Sequence, residues 1–169
     1  MQKLDLVLFP NQGLREVCAT VTEMTDELDR LIDDMFYTMY DAPGIGLAAP
    51  QIAVQQRVIV VDVSEGKNQP LALINPEIVR SAGQITWEEG CLSLPDIYAK
   101  VERPSEIIVR GMNRDGKKVE MEANDLLAIC IQHEIDHLNG RLFVDHLSPL
   151  KRTRLLHKFK KLQAEKTGS

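Results

Sequence analysis

Cysteine is scarce in this chain of 169 residues, with Cys18, Cys91 and Cys130 the only three. An odd, sparse set argues against a disulfide framework, and a reducing cytoplasm is the expected setting. Long apolar runs are lacking too, and none approaches the ~20 residues that a membrane span needs. The opening stretch, MQKLDLVLFPNQG, has one lysine and a short apolar run broken by Asp5 and Pro10. A secretory signal is therefore not expected there. Internal repeats, linkers and low-complexity segments are absent, and the length suits one domain, 1–169, with a core that needs no disulfide staples. Net charge is −5 and unevenly spread: from Lys151 onward there are seven Lys or Arg and one acid, Glu165. The acidic body argues against DNA or general nucleic-acid binding, whereas the basic tail at 151–169 is open to an anionic partner.

Against this spare background one stretch stands out, QHEIDHLNG at 132–140. On a helix His133 and His137 lie one turn apart on the same face, so both imidazoles can reach one metal ion. Glu134 is then turned enough to address a water on that ion. Two ordinary surface histidines are the competing reading of so short a pattern. Context favours a buried helix: Asn124 or Asp125 can cap it, and Leu126–Ile131 is apolar on nearly every face. Gly140 suits a left-handed stop. Two histidines, Glu134 and Asp136 on a buried helix need partners, because burying polar groups unpaired is costly.

Elsewhere, Thr25 is a candidate N-cap for an amphipathic helix whose stripe is Leu28, Leu31, Ile32, Met35, Phe36 and Met39. Its Met and aromatic residues read as core. Gly44–Gln51, GIGLAAPQ, carries so little side chain that a ligand or another backbone could approach closely. It reads equally as an edge strand able to add a peptide strand or as a small-residue turn. Strands are expected at 57–63, 71–75 and 85–89, and a hairpin over 107–112 and 118–122 turning at Asn113–Gly116. Ser148-Pro149 starts a last helix with the stripe Leu155, Phe159 and Leu162. Strands in the middle with helices before and after predict an α+β fold.

A catalytic zinc-type site takes three protein ligands and an open position. Downstream of His137 the candidates are Asp145, His146, His157 and Glu165, none in a recognisable third-ligand pattern. Upstream, Cys91 in Glu89-Gly90-Cys91-Leu92-Ser93 is the better candidate, a thiolate in a turn. Cys130 reads as a buried structural thiol and Cys18 as inert.

GIGLAAPQ at 44–51, EGCLS at 89–93 and QHEIDHLNG at 132–140 resemble, in order and separation, the three motifs of the peptide deformylases. The resemblance runs along nearly the whole chain and includes the INPEI segment and the SPLKR start of the tail. It implies a fold of small mixed or antiparallel β-sheets packed around a central metal-binding helix, with a C-terminal helix. It also implies a metal-dependent hydrolase of protein biosynthesis, processing the N-terminal methionine by removing formyl from formyl-methionyl nascent polypeptides. Cys91, His133 and His137 are then the metal ligands, with water fourth; the family metal is usually Fe(II), which Zn(II), Ni(II) or Co(II) can replace. Glu134 becomes the general base and then acid, while the Gln51 amide and the Leu92 backbone N–H become the oxyanion donors. Substrate backbone contacts fall to Ile45, Gly46 and Gly90, and the methionine pocket to Ile45, Ile129, His133 and Leu126. Glu89 is expected to pair with a cation, Arg103 by similarity, and Asp136 to orient a ligand or brace the helix, with ordinary surface ion pairs as the competing reading. The tail is similar to one implicated in docking on the ribosome. One departure is Ile97-Tyr98, where some family members have an Arg available to the peptide backbone. The competing functions are an HExxH endopeptidase, or a non-enzymatic ribosome-associated module with a structural metal.

Overall fold

The computed structural model describes residues 1–168, so only Ser169 of the basic tail lies outside it. The first long helix, α1 (Asp26–Asp41), begins where expected: the Thr25 side chain accepts from the Leu28 backbone N–H at 3.1 Å, and three acids occupy the first turn. Its buried face is Leu28, Ile32, Met35 and Met39 with Thr38. After α1 the chain enters β1 (Gly46–Ala48), a single 3-10 turn at Ala49–Ile52, and β2 (Val58–Val61). Then come β3 (Leu71–Ala82), β4 (Ile85–Cys91), β5 (Leu94–Arg103), β6 (Glu106–Met112) and β7 (Lys118–Asn124).

Strands β1-β2-β3-β6-β7 form one antiparallel sheet in that order, and β4-β5 form a second. GIGLAAPQ thus supplies an edge strand, as one of its two readings had it. Two differences from expectation concern strands that contain proline. β3 continues past Pro76 to Ala82, with a register shift between Ile74 and Glu77. A bulge lets a strand carry a residue that cannot donate to the ladder. Within it Asn75 takes φ +52, and its side chain grips Val21 on both backbone groups at 2.9 Å. The 85–89 strand runs on to Cys91, and the unforeseen β5 folds back on it, with Pro95 near its start. The β6–β7 hairpin turns where Asp115-Gly116 predicts, with Gly116 at φ +78.

Next in the chain is α2 (Asp125–Leu138), the central helix, buried along ten consecutive-to-near residues from Ala128 to Leu138. Asn124 holds the cap position, and Asn139-Gly140 ends the helix with Gly140 at φ +73. A Cβ on Gly140 would run into the Arg15 carbonyl, so glycine is required there. One face of α2 packs on the large sheet through Ala128, Ile131 and Ile135, against Ile59, Leu73 and Val109. A second 3-10 turn (Phe143–His146) leads into α3 (Pro149–Lys166), capped by the Ser148 side chain as expected. Phe159 of α3 is 1% exposed, inserted among Leu94, Ile97, Val101 and Phe143, with Leu155 and Leu162 alongside. Burying such a side chain contributes roughly 1.5–3 kcal/mol, enough to hold an otherwise charged helix on the small sheet. Among the described residues no helix is long and apolar enough to cross a membrane.

Candidate metal centre

Because α2 is buried all round, its polar residues must be satisfied by what packs on it. His133 and His137 stand one turn apart, edge to face, with ring centroids 5.1 Å and planes 66° apart. The β4–β5 hairpin brings the third group. A register shift between Gly90 and Cys91 turns the strand end inward and sets Cys91 Sγ 3.4 Å from His137 Nε2. Cys91, His133 and His137 offer ligand atoms all within 4.8 Å of one another, the one such group among the described residues. The other candidates stay away: Asp145 pairs with Arg15, His146 with Asp136, and His157 and Glu165 are exposed on α3. Cys130 is buried against the Ile45 carbonyl, and Cys18 is buried beside Gln55.

The donor set fits a borderline-soft divalent ion, one thiolate and two imidazoles. His133 Nδ1 lies 2.9 Å from Glu89 Oε1, and a carboxylate can only accept, so Nδ1 carries the proton and the Nε2 lone pair is left for a metal. Arg103 holds Glu89 from behind with two hydrogen bonds, at 2.6 and 2.9 Å, and Asp136 with one at 3.0 Å. Burial opposes ionisation of Glu89, but His133 and Arg103 outweigh it and hold the carboxyl below its ordinary value. The Phe143 ring lies against His133, 6.0 Å away and 21° from parallel. No sequence signal near Phe143 marks this contact.

Burial likewise pushes the Cys91 thiol up, yet the neighbouring His137 and His133 prevail and bring it down to about 5 from an ordinary 9.0. Cys18 and Cys130 go the other way, both raised by burial. A lowered pKa means that thiolate persists on the acid side of neutrality, and thiolate is the reactive form. Metal-free protein treated with iodoacetamide at about pH 6.5 should be labelled at Cys91 alone. The rate should be nearly flat above about pH 6 and fall through about pH 5. Peptide mapping by mass spectrometry reads this; a Cys91 rate still climbing tenfold per unit between about pH 6 and 8 would contradict it.

Beside the thiol, Gln51 is 1% exposed and clamped at both ends. Its Oε1 accepts from the Ala48 backbone N–H at 2.9 Å, and its Nε2 donates to Ser93 Oγ at 3.1 Å and faces Cys91 Sγ at 3.5 Å. The amide NH₂ is therefore oriented toward the metal group. The sequence marks Ser93 only as part of EGCLS; its hydroxyl is fully buried and is satisfied by this amide. Glu134 is 4% exposed, and its Oε1 has no hydrogen-bond partner among the described residues. Burial raises this carboxyl, with Cys91 and Glu89 adding to the effect and His133 and His137 opposing it.

These groups form the floor of an open cleft of about 480 Å³. Ile45, Gly46, Gly90, Leu92, Leu126 and Ile129, all expected near substrate, line it. A Cβ on Gly46 would come within 2.5 Å of Glu134 Oε2, and one on Gly90 within 2.7 Å of the Tyr98 ring, so both glycines mark close approaches. Tyr98 stays exposed at the rim with Ile45 and Trp87.

A thiol and two imidazoles converging beside a buried glutamate, at the floor of a cleft between two antiparallel sheets, make a metal-assisted hydrolase of α+β class. The sequence profile of the polypeptide deformylase family matches residues 3–153. A peptide deformylase of Hydrogenovibrio crunogenus is 74% identical over 169 residues, covering 100% of both chains. Among solved structures, a peptide deformylase from Legionella pneumophila superposes with TM-score 0.90 at 48% identity, covering 96% of this chain and 98% of that one. One from Ehrlichia chaffeensis in complex with actinonin gives 0.91 at 37%, covering 95% and 98%. The chain belongs to the polypeptide deformylase family.

Proposed function

We propose that this enzyme hydrolyses the formyl group from the N-terminal formyl-methionine of nascent polypeptides, releasing formate and a free α-amine. The observation that carries the reading is the juxtaposition of Cys91, His133 and His137 with the buried Oε1 of Glu134, which has no hydrogen-bond partner among the described residues. Cys91, His133 and His137 would hold a divalent ion, which when bound would supply Lewis acidity and lower the pKa of water toward neutrality. Glu134 takes the water's proton and returns it to the leaving amine, a role suited to a carboxyl whose affinity for protons is raised. Gln51 Nε2, pinned by the Ala48 and Ser93 contacts, and the Leu92 backbone N–H donate to the oxygen that becomes negative. Fe(II) is the proposed native ion, with Zn(II), Ni(II) or Co(II) able to replace it, since a mixed S/N set does not select one of them.

The peptide backbone is proposed to lie along Ile45 and Gly46, at the outer edge of β1, and across to Gly90 of β4. The methionine side chain enters between Ile45, Leu126, Ile129 and His133. The basic C-terminal helix and tail, 151–169, is the proposed contact to the ribosome, and the cytoplasm the proposed site of action.

Gly46 presses on Glu134 and leaves room for an acyl carbon that bears only hydrogen. Formyl-Met-Ala-Ser should therefore be turned over at least about tenfold faster than acetyl-Met-Ala-Ser, since one extra methylene in a tight apolar site is worth ~10–200-fold. Product formation by liquid chromatography compares them at equal concentration. Equal turnover would overturn the proposed fit around Gly46.

A further inference from the structure

The 3-10 turn after α2 reaches His133 from both of its ends. Phe143, the first residue, stacks on the imidazole directly. His146, the last, reaches it through Asp136, Arg103 and Glu89. His146 Nε2 is 2.8 Å from Asp136 Oδ2 and 3.5 Å from Arg103 Nη1. Arg103 has no lone pair to offer and Asp136 no proton, so the short contact is an Nε2–H donating to Asp136. The same Asp136 oxygen accepts from Arg103 at 3.0 Å, and the other edge of the guanidinium grips Glu89, the acceptor of the His133 Nδ1–H.

Two carboxylates thus compete for one guanidinium in a dry place: Glu89 and Arg103 side chains are each 4% exposed and Asp136 16%. Without a further donor Asp136 would draw Arg103 toward itself and away from Glu89. His146, whose side chain is 27% exposed, supplies that donor at the solvent end of the chain. The turn that carries it is itself braced, since Asp145 accepts from the Leu142 backbone N–H at 2.9 Å and pairs with Arg15.

We infer that His146 is a positioning residue for the metal centre: by holding Asp136 it keeps Arg103 on Glu89, and so fixes the ring and tautomer of His133. His133 as a metal ligand is the reading on which this assignment rests. Outer partners of a metal-bound imidazole typically govern affinity by 10–100-fold. Standing further out, His146 should contribute less than that, about three- to tenfold.

The test uses full-length protein loaded with Co(II), whose thiolate-to-cobalt absorption reports the centre directly. Its decay in excess chelator is timed for wild type, His146→Leu and His146→Gln, and the urea midpoint of each metal-free protein is measured alongside. The expected result is Co(II) loss about three- to tenfold faster from His146→Leu, with a shifted absorption band. His146→Gln, which can donate from nearly the same point, should return to within about twofold of wild type. If His146→Leu loses Co(II) at the wild-type rate, whatever its urea midpoint, the role is structural and the inference is overturned. It is equally overturned if Gln is as fast as Leu, because the donor would then not matter. A wild type with no thiolate-to-cobalt band would instead remove the metal-ligand reading itself.

Discussion

Glu134→Gln should retain its metal and lose about 10²–10⁴ in kcat/KM for a formyl-methionyl peptide. The substitution keeps the shape of the side chain and removes only its ability to accept a proton. Shape matters here, because Glu134 is packed against Gly46 and buried at the floor of the cleft. Glu134 contributes no atom to the Cys91–His133–His137 group, so metal content should be unchanged. Formate release with metal analysis on the same sample checks both halves. A loss below about tenfold would mean that another group moves the proton. Loss of the metal together with activity would mean that Glu134 is structural.

Arg103→Leu should be the most destabilising single change near the centre. It leaves Glu89 and Asp136 buried with no cation between them, and breaking such a pair by removing one partner costs about 3–5 kcal/mol. The pH dependence has a definite sign. In the wild type both carboxyls are held below their ordinary values: burial opposes ionisation, His133 and Arg103 outweigh it for Glu89, and His146 and Arg103 do so for Asp136. Groups lowered on folding stabilise above their unfolded pKa, and that stability is lost as pH falls through the folded value. In the variant the Arg103 contribution is gone and burial favours protonation, so the deficit should shrink on going from about pH 7.5 to about pH 5. Urea unfolding at the two pH values reads it; a deficit under about 1 kcal/mol at pH 7.5 would contradict the account.

How much of this was legible in the sequence followed the range of the interactions. His133, Glu134 and His137 could be read because a single helical turn relates them. The Thr25 cap, the Asp115-Gly116 turn and the Ser148-Pro149 start are equally local signals. Cys91 and Gln51 are remote from α2, and were legible only through cysteine scarcity and the resemblance of their segments to family motifs. What escaped among the strands lay at prolines: the continuation of β3 past Pro76, which a bulge permits, and β5, with Pro95 near its start. What stayed illegible was tertiary. His146 stood among the candidate ligands, yet it pairs with Asp136 on another element. Nothing local to Phe143 announces that its ring supports His133.

Formate release from formyl-Met-Ala-Ser tests the central claim most directly, comparing anaerobically prepared Fe(II) enzyme, the chelator-stripped protein and the stripped protein reloaded with Fe(II) or Ni(II). The account predicts turnover in the first and last, and loss of at least about 10³ in the stripped form, since the cleft then holds no group to acidify water. Full activity without metal, or none from fully metallated protein, would contradict it.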